Sequence, residues 1–338
     1  MTQTLAIVER LPGHTEVMGG FAALAIALGY DTHLLFNRKD RFHMTEYLQT
    51  RIPIAGDHIH DWSYINDASA RFDVILLNTS CVWLDYGRQL QHWKANHRLI
   101  VVHHHPEDIE LNPHGASVYL TPAVSEEKWI FPLYSKPVYS KPDSSTELEL
   151  ESNSALSASD GAELPTLVTI GALDRKDIAG VFAYMKAGGK VVHYDRHPCQ
   201  FFLESKESYT QHVGLGGTEF MASIAQQEQP IFLWFPIVQD SEYLEHRFSG
   251  ALIIGVEMNC IMVMPERLRK LYGFPEAAVI TYDSSVTEAA CLEKLRGSPV
   301  KQQQRRAQLR MWAVERWEKN MAVFQSLLGQ TSAETSLR

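Results

Sequence analysis

The chain has 338 residues, 45% of them hydrophobic and 21% charged, with a formal net charge of -9 at pH 7. That length exceeds one ordinary domain and predicts two, and the composition is that of a soluble globular protein. The excess of acid over base excludes an electrostatic grip on nucleic acid, and no apolar run is long enough to span a bilayer.

The N-terminus, MTQTLAIVER, lacks the basic start and the small-residue cleavage site of a signal peptide. Within it TLAIVE (Thr4–Glu9) is a short apolar run that predicts a buried strand. Residues Thr15–Leu28 carry Val17, Phe21, Leu24, Ala25 and Leu28 at helical spacing, and Gly29 ends that helix. The strand type repeats in Thr32–Phe36, Phe72–Asn78 and Arg98–His105, with WLDYGRQLQHWKAN as a helix before the last. Apolar strands alternating with helices predict a parallel sheet covered on both faces.

Residues Pro142–Leu164 are rich in serine and glutamate and predict a linker or long surface loop between an N-terminal domain (1–141) and a C-terminal one (165–300). Alternation restarts with a strand at Thr166–Leu173 and a helix at Asp177–Gly189. KVVHYD, PIFLWFPI and CIMVMP follow as strands, with a helix over Asp240–Met258 before the last. The tail from 301 to 330 holds a long amphipathic helix, with Leu309, Trp312, Trp317, Met321 and Phe324 at helical spacing, and is read as packing across both domains. The expected fold class is therefore α/β, with two doubly wound Rossmann-like domains facing a cleft. Ligands of such sheets bind at the carboxyl ends of the strands.

Four constellations could carry chemistry. In the first, Gly13-His14 and then Gly19-Gly20 stand between a strand and a helix. Glycines beside a helix N-terminus let backbone N–H groups approach an anion, and a histidine could take a proton from a hydroxyl. The plainer reading is a turn with an exposed histidine. In the second, IGALDRKD places Gly171, Arg175 and Lys176 at the end of a strand, where two cations suit a diphosphate; a solvated charged turn is the alternative. In the third, VVHHHPED ends a strand in three histidines. His103 and His105 share one face and His104 takes the other. No H-x-x-x-H or cysteine pairing accompanies them, so a histidine facing the cleft or a polar strand end is read in preference to zinc. In the fourth, Ser249-Gly250 could open the apolar helix before CIMVMP and face an anion, while Glu242, Tyr243, Glu245 or Glu257 could bond a ribose or sugar; a core helix with a packing glycine is the alternative. The cysteines, Cys81, Cys199, Cys260 and Cys291, show no CxxC spacing and read as reduced, consistent with a cytoplasmic protein.

LPGHTEVMGGFAALAIALGYDTHLLF resembles the opening of the GT-B fold glycosyltransferases, with Tyr30 where a histidine is common in that family. LVTIGALDRKD is similar to the first strand of their donor domain, and SGALIIGVEMNCIMVMP to the helix and strand that line the donor. The resemblance implies transfer of a sugar from a UDP- or GDP-sugar to a hydroxyl acceptor such as a growing glycan. It implies an acceptor-binding first domain, a donor-binding second domain and a terminal helix that crosses back. Gly19 and Gly20 would face the donor phosphates, Arg175 and Lys176 would neutralise the diphosphate, and Gly171, Tyr243, Ser249, Gly250 and Glu257 would complete the donor site. His14 would be the base on the acceptor, and His103 would lie near the donor sugar. No DxD triplet is present, so no metal and no cofactor beyond the nucleotide-sugar is expected. The glutamate pair of retaining members would fall at His246 and Ile254, which leaves the anomeric outcome open. A nucleotide-sugar epimerase of the same architecture, or a non-catalytic protein that closes on a sugar or phosphate ligand, are the alternative readings.

Overall fold

Two six-stranded sheets, one in each half, organise the chain. The computed structural model describes residues 2–11, 14–37, 44–104, 115–137, 163–172, 176–195, 198, 207–237, 241–244 and 248–329. The first sheet comprises β1 (Thr4–Glu9), β2 (Asp31–Phe36), β3 (Ile59–Asp61), β4 (Val74–Leu77), β5 (Arg98–His103) and β6 (Ala116–Tyr119), in the order β3-β2-β1-β4-β5-β6. The second comprises β7 (Thr166–Ile170), β8 (Lys190–Asp195), β9 (Tyr209–Val213), β10 (Phe232–Trp234), β11 (Ile261–Pro265) and β12 (Ile280–Tyr282), in the order β12-β11-β10-β7-β8-β9. Every pairing between these strands is parallel. Both halves thus use one permutation. The first strand lies at the centre, the next two extend to one side, and the chain crosses back to its other flank. The switch points, where a crevice opens for a ligand, are β1/β4 and β7/β10.

The helices are α1 (Thr15–Ala27), α2 (Met44–Arg51), α3 (Tyr64–Ala68), α4 (Gly87–Asn96), α5 (Ile178–Lys186), α6 (Gly217–Ala225), α7 (Gly250–Glu257), α8 (Glu266–Tyr272), α9 (Ala289–Leu295) and α10 (Pro299–Leu327). Two expected helices differ. The one expected from Trp83 starts at Gly87, because Ser80–Tyr86 winds as a 3₁₀ turn that sinks Trp83 against Trp93. The one expected over 240–258 is a short 3₁₀ turn, Glu242–Leu244, followed by α7, whose cap Ser249 is extended (φ -109°, ψ 120°). Strands β3, β6, β9 and β12 were not anticipated. They are the short edges of their sheets, and their mixed sequences (IHD, ASVY, YTQHV, ITY) lack the apolar run of a strand buried on both faces. Of the serine-rich stretch, residues 142–162 lie outside the described residues.

Alternation along the central strands sorts their side chains into layers. Ala6 and Val8 join Trp83 and Trp93 under the outer face of the first sheet, while Leu5 and Ile7 face inward. Leu167 and Phe232 line the outer face of the second sheet, and Val168 and Leu233 face inward. The inward sets belong to one continuous core that runs between the halves and includes Leu309, Trp312 and Phe324 of α10. Helix α10 touches α1 and β6 on one side and α7 and β11 on the other. Its start is set by Ser298, whose hydroxyl accepts from Lys301 N, and by a proline in the first turn. Further along, Arg316 donates to the Trp129 carbonyl (2.7 Å) with its guanidinium 3.6 Å from the Trp129 ring centre, and Asn320 trades both hydrogen bonds with the Phe131 backbone. Those buried polar contacts fix the segment that follows β6 against the crossing helix.

Candidate functional site

The switch point of the first sheet is built from the ends of β1, β4 and β5. Glu9 closes β1 and is fully buried. Its carboxylate accepts from Leu11 N (2.7 Å), Asn78 Nδ2 (2.8 Å) and the Thr79 hydroxyl (2.6 Å). Burial pushes the Glu9 pKa up to about 7, and those hydrogen bonds, chiefly that from Thr79, oppose the rise. Asn78 Nδ2 also reaches the His14 carbonyl at 3.2 Å. Arg10, next in the chain, lies against the rings of Trp62, Trp83 and Tyr86 at 4.8, 5.2 and 4.3 Å and donates to the Val82 carbonyl. The loop after β1 is thereby held from below by a carboxylate and from the side by a caged cation. Glu9→Gln puts an amide donor where three donors converge, so one of them loses its acceptor. A loss of about 1–3 kcal/mol in unfolding free energy is expected from denaturant titration.

His14 stands at the head of α1 with φ 65°, the left-handed region that β-carbon-bearing residues seldom take. Its carbonyl accepts from Val17 N, which makes it the helix cap, and its ring meets that of His104 edge-on at 4.5 Å. His104 Nε2 donates to the Asn78 carbonyl at 2.7 Å, which fixes its tautomer. His103 points to the other side of β5, where it bonds the Ser117 hydroxyl (3.0 Å) and stacks on Tyr119. The histidine that meets His14 is therefore His104 and not His103, because strand alternation sends the two to opposite faces. His105, Pro12 and Gly13 lie outside the described residues.

Across the interface, α7 begins at Gly250 with its N-terminus toward α1. A β-carbon at Gly250 would stand 2.8 Å from Glu16 Oε1. The heads of the two helices, His14–Glu16 and Ser249–Gly250, thus abut.

Several expected donor residues lie elsewhere. Gly19 and Gly20 are buried within α1, one turn past its start, so their N–H groups serve the helix and not a phosphate. A β-carbon at Gly19 would meet Leu48 Cδ2 at 2.5 Å, and one at Gly20 would meet Pro132 Cβ at 2.2 Å. They are packing glycines that admit α2 and the segment after β6. Glu257 ends α7, seven residues from Gly250, roughly 10 Å along the axis. Its side chain is 6% exposed, accepts from Tyr134 N at 2.7 Å, and lies 3.5 Å from Arg51 Nη2, so it ties the two halves together. Burial raises its pKa. The 3₁₀ turn bearing half-buried Tyr243 packs on α8.

At the second switch point Gly171 has φ +93°, which only glycine takes readily, and its N–H bonds the Tyr194 carbonyl at 2.8 Å. Lys176 turns inward: Nζ donates to Thr169 Oγ1 at 2.6 Å and the Ile170 carbonyl at 2.5 Å. Burial lowers its pKa from 10.5 to about 7, with Asp195 opposing the fall. The adjacent His193 is wholly buried, 3.4 Å from Asp195, and burial holds its pKa near 4. Arg175 falls outside the described residues.

Glu9, Asn78, Thr79, His104 and Glu16 were not anticipated. A carboxylate closing the apolar run TLAIVE, at the carboxyl end of a first strand, is the signal that could have found Glu9.

No protein-family model matches the chain, and no curated protein matches it by sequence. Solved structures do match. Anabaena HepE in complex with UDP is similar with a TM-score of 0.56 and 11% identity, over 97% of this chain and 100% of that one. The catalytic domain of starch synthase IV from Arabidopsis thaliana, bound to ADP and acarbose, is similar with a TM-score of 0.57 and 9% identity, over 100% of both chains. Among the described residues no helix is long and apolar enough to cross a membrane. With two Rossmann-like sheets of one permutation, a crossing terminal helix and likeness along the whole chain, the protein has the GT-B fold.

Proposed function

We infer that the protein is a glycosyltransferase that moves a sugar from a nucleotide-sugar, a UDP- or GDP-sugar, to a hydroxyl acceptor such as a growing glycan, without a catalytic metal. The observation that carries this reading is the meeting of the head of α1, capped by His14 and touching through Glu16, with the α7 N-terminus at Gly250, between the carboxyl ends of two sheets in a GT-B fold. The nucleotides in the complexes of HepE and starch synthase IV support a nucleotide-bearing donor here. The first domain binds the acceptor and the second the donor. His14 removes the proton of the acceptor hydroxyl as its oxygen bonds the anomeric carbon. The bond from that carbon to the phosphate oxygen breaks, and the electron pair leaves with the diphosphate. The charge that develops is met by the backbone N–H groups at Ser249 and Gly250, from which the Glu16 carboxylate must withdraw, and by Arg175 with Lys176, whose amino group turns from Thr169 and the Ile170 carbonyl to reach it.

Lys176 gives this reading a pH dependence. With its pKa near 7, the free protein increasingly holds it neutral above that pH. A bound diphosphate favours the charged form, so binding takes up a proton. Nucleotide affinity is then expected to fall above pH 7, by up to about tenfold per pH unit, each unit being worth about 1.4 kcal/mol. Calorimetric titration with UDP and GDP between pH 7 and 9 checks this: Lys176→Met should bind more weakly at pH 7 and lose the slope. Equal affinities in the wild type and variant at all pH values would remove Lys176 from the donor site. The stability of the free protein has the opposite sign. The fold disfavours the charged lysine, so Lys176 makes stability rise with pH from about 7 to 10.5.

A further inference from the structure

We propose that Asp31, His33 and His58 form a binding site for a divalent transition-metal ion, zinc(II) being the ion their chemistry suits best, at the end of the first sheet remote from His14. Asp31 opens β2, and His33 lies two residues on, so both side chains project from one face. His58 ends the 3₁₀ turn that leads into β3. The register Leu34↔Ile59 sets His58 beside His33. Asp31 Oδ1 is 3.3 Å from His58 Nδ1, and Oδ2 is 3.8 Å from His33 Nε2. One ligand atom from each residue lies within 4.8 Å of the other two, the one such grouping among the described residues.

The two contacts use both oxygens of Asp31, and the His33 and His58 rings stack with centres 4.2 Å apart and planes 18° from parallel, so a shared ion is held once the rings turn to converge on it. Tetrahedral zinc with bonds of about 2.0–2.1 Å holds its ligand atoms roughly 3.3–3.5 Å apart. The contact of 3.8 Å between His33 and Asp31 is too long for a hydrogen bond and close to that spacing. Two imidazoles and one carboxylate form the borderline donor set that zinc prefers, whereas magnesium and calcium favour oxygen. The second ring nitrogen of His33 is already held: Nδ1 lies 3.2 Å from His60 Nε2, and the His60 ring stacks on Tyr64. That outer contact fixes ring orientation as the partners of metal-bound histidines do. The three side chains are 39%, 18% and 30% exposed, so an ion can enter and keep water as its remaining ligand.

Asp31 pairs with Thr4, the first residue of β1, whereas Glu9 and the His14 loop lie at the other end of that strand. The ion would staple the edge strand β3 to β2 and take no part in sugar transfer.

The test is zinc uptake by the full chain after chelation, followed by competition with a chromogenic chelator and by the visible absorption of the cobalt(II) form. One ion per chain is expected. His58→Ala and Asp31→Asn should each weaken binding by more than 100-fold, and His60→Ala, an outer contact, by about 10–100-fold. His92→Ala, on α4, should leave it unchanged, and circular dichroism should show every variant folded. Zinc should raise the melting temperature of the wild type and not that of Asp31→Asn. Absence of stoichiometric uptake, or uptake that survives in the folded His58→Ala/Asp31→Asn double variant, would overturn the proposal.

Discussion

His14→Ala is expected to lower kcat by about 10²–10⁴, the usual contribution of a positioned general base, while nucleotide affinity stays within a few-fold of wild type. The reason is division of labour across the interface. The imidazole belongs to the first half, stands on the cap of α1 and is braced by His104, whereas the residues offered to the diphosphate belong to the second half. Its left-handed backbone complicates the alanine variant: histidine already bears most of the cost of about 1–2 kcal/mol that a β-carbon incurs there, and alanine, less tolerant of that region, adds a fraction of it. His14→Asn separates the two effects, because asparagine tolerates that conformation but cannot act as the base. Both variants should lose kcat alike, and only the alanine form should also lose stability. A fall in nucleotide affinity matching the fall in kcat would move His14 from acceptor chemistry to donor binding.

Gly20→Ala is expected to destabilise the fold by about 1–3 kcal/mol or more, opposite to the effect of the same change in an open helix. A β-carbon there would stand 2.2, 2.4 and 2.6 Å from Pro132 Cβ, Cα and C, and the last two are backbone atoms that cannot step aside. Gly19→Ala should cost less, since its nearest obstacle is Leu48 Cδ2, the far end of a flexible side chain. Gly87→Ala is the control: φ is -49° and nothing lies within 4 Å of the added carbon, so a gain of about 0.4–1 kcal/mol is expected. Chemical denaturation of the three variants orders them. A neutral or stabilising Gly20→Ala would mean that the segment at Pro132 does not sit against α1.

The contrast between those glycines shows what local sequence can and cannot disclose. Central strands such as β1 and β5 were legible because burial on both faces demands an unbroken apolar run, and α1 because its apolar spacing ends at Gly29. The edge strands gave no such run, and Ile59–Asp61 is three residues with one apolar side chain. A glycine pair between a strand and a buried helix reads as a phosphate loop, yet the partner that requires it is Pro132, more than a hundred residues away. His14 was legible as a histidine ahead of a helix. The choice between His103 and His104 was not, because alternation separates them without saying which face meets the crevice. Lys176 follows the end of β7 by six residues, and its inward turn onto Thr169 and toward Asp195 of β8 has no signature in the local sequence. Glu257 looked like a sugar ligand because its anchors, Tyr134 and Arg51, belong to the other half of the chain.

Incubation of the full chain with a panel of UDP-, GDP- and ADP-sugars and a mixture of hydroxyl acceptors, followed by measurement of nucleoside diphosphate release, addresses sugar transfer most directly. Acceptor-dependent release from at least one donor, nearly abolished in His14→Asn, is the predicted result. Donor that binds and is never consumed with any acceptor, or release that His14→Asn leaves untouched, would contradict it.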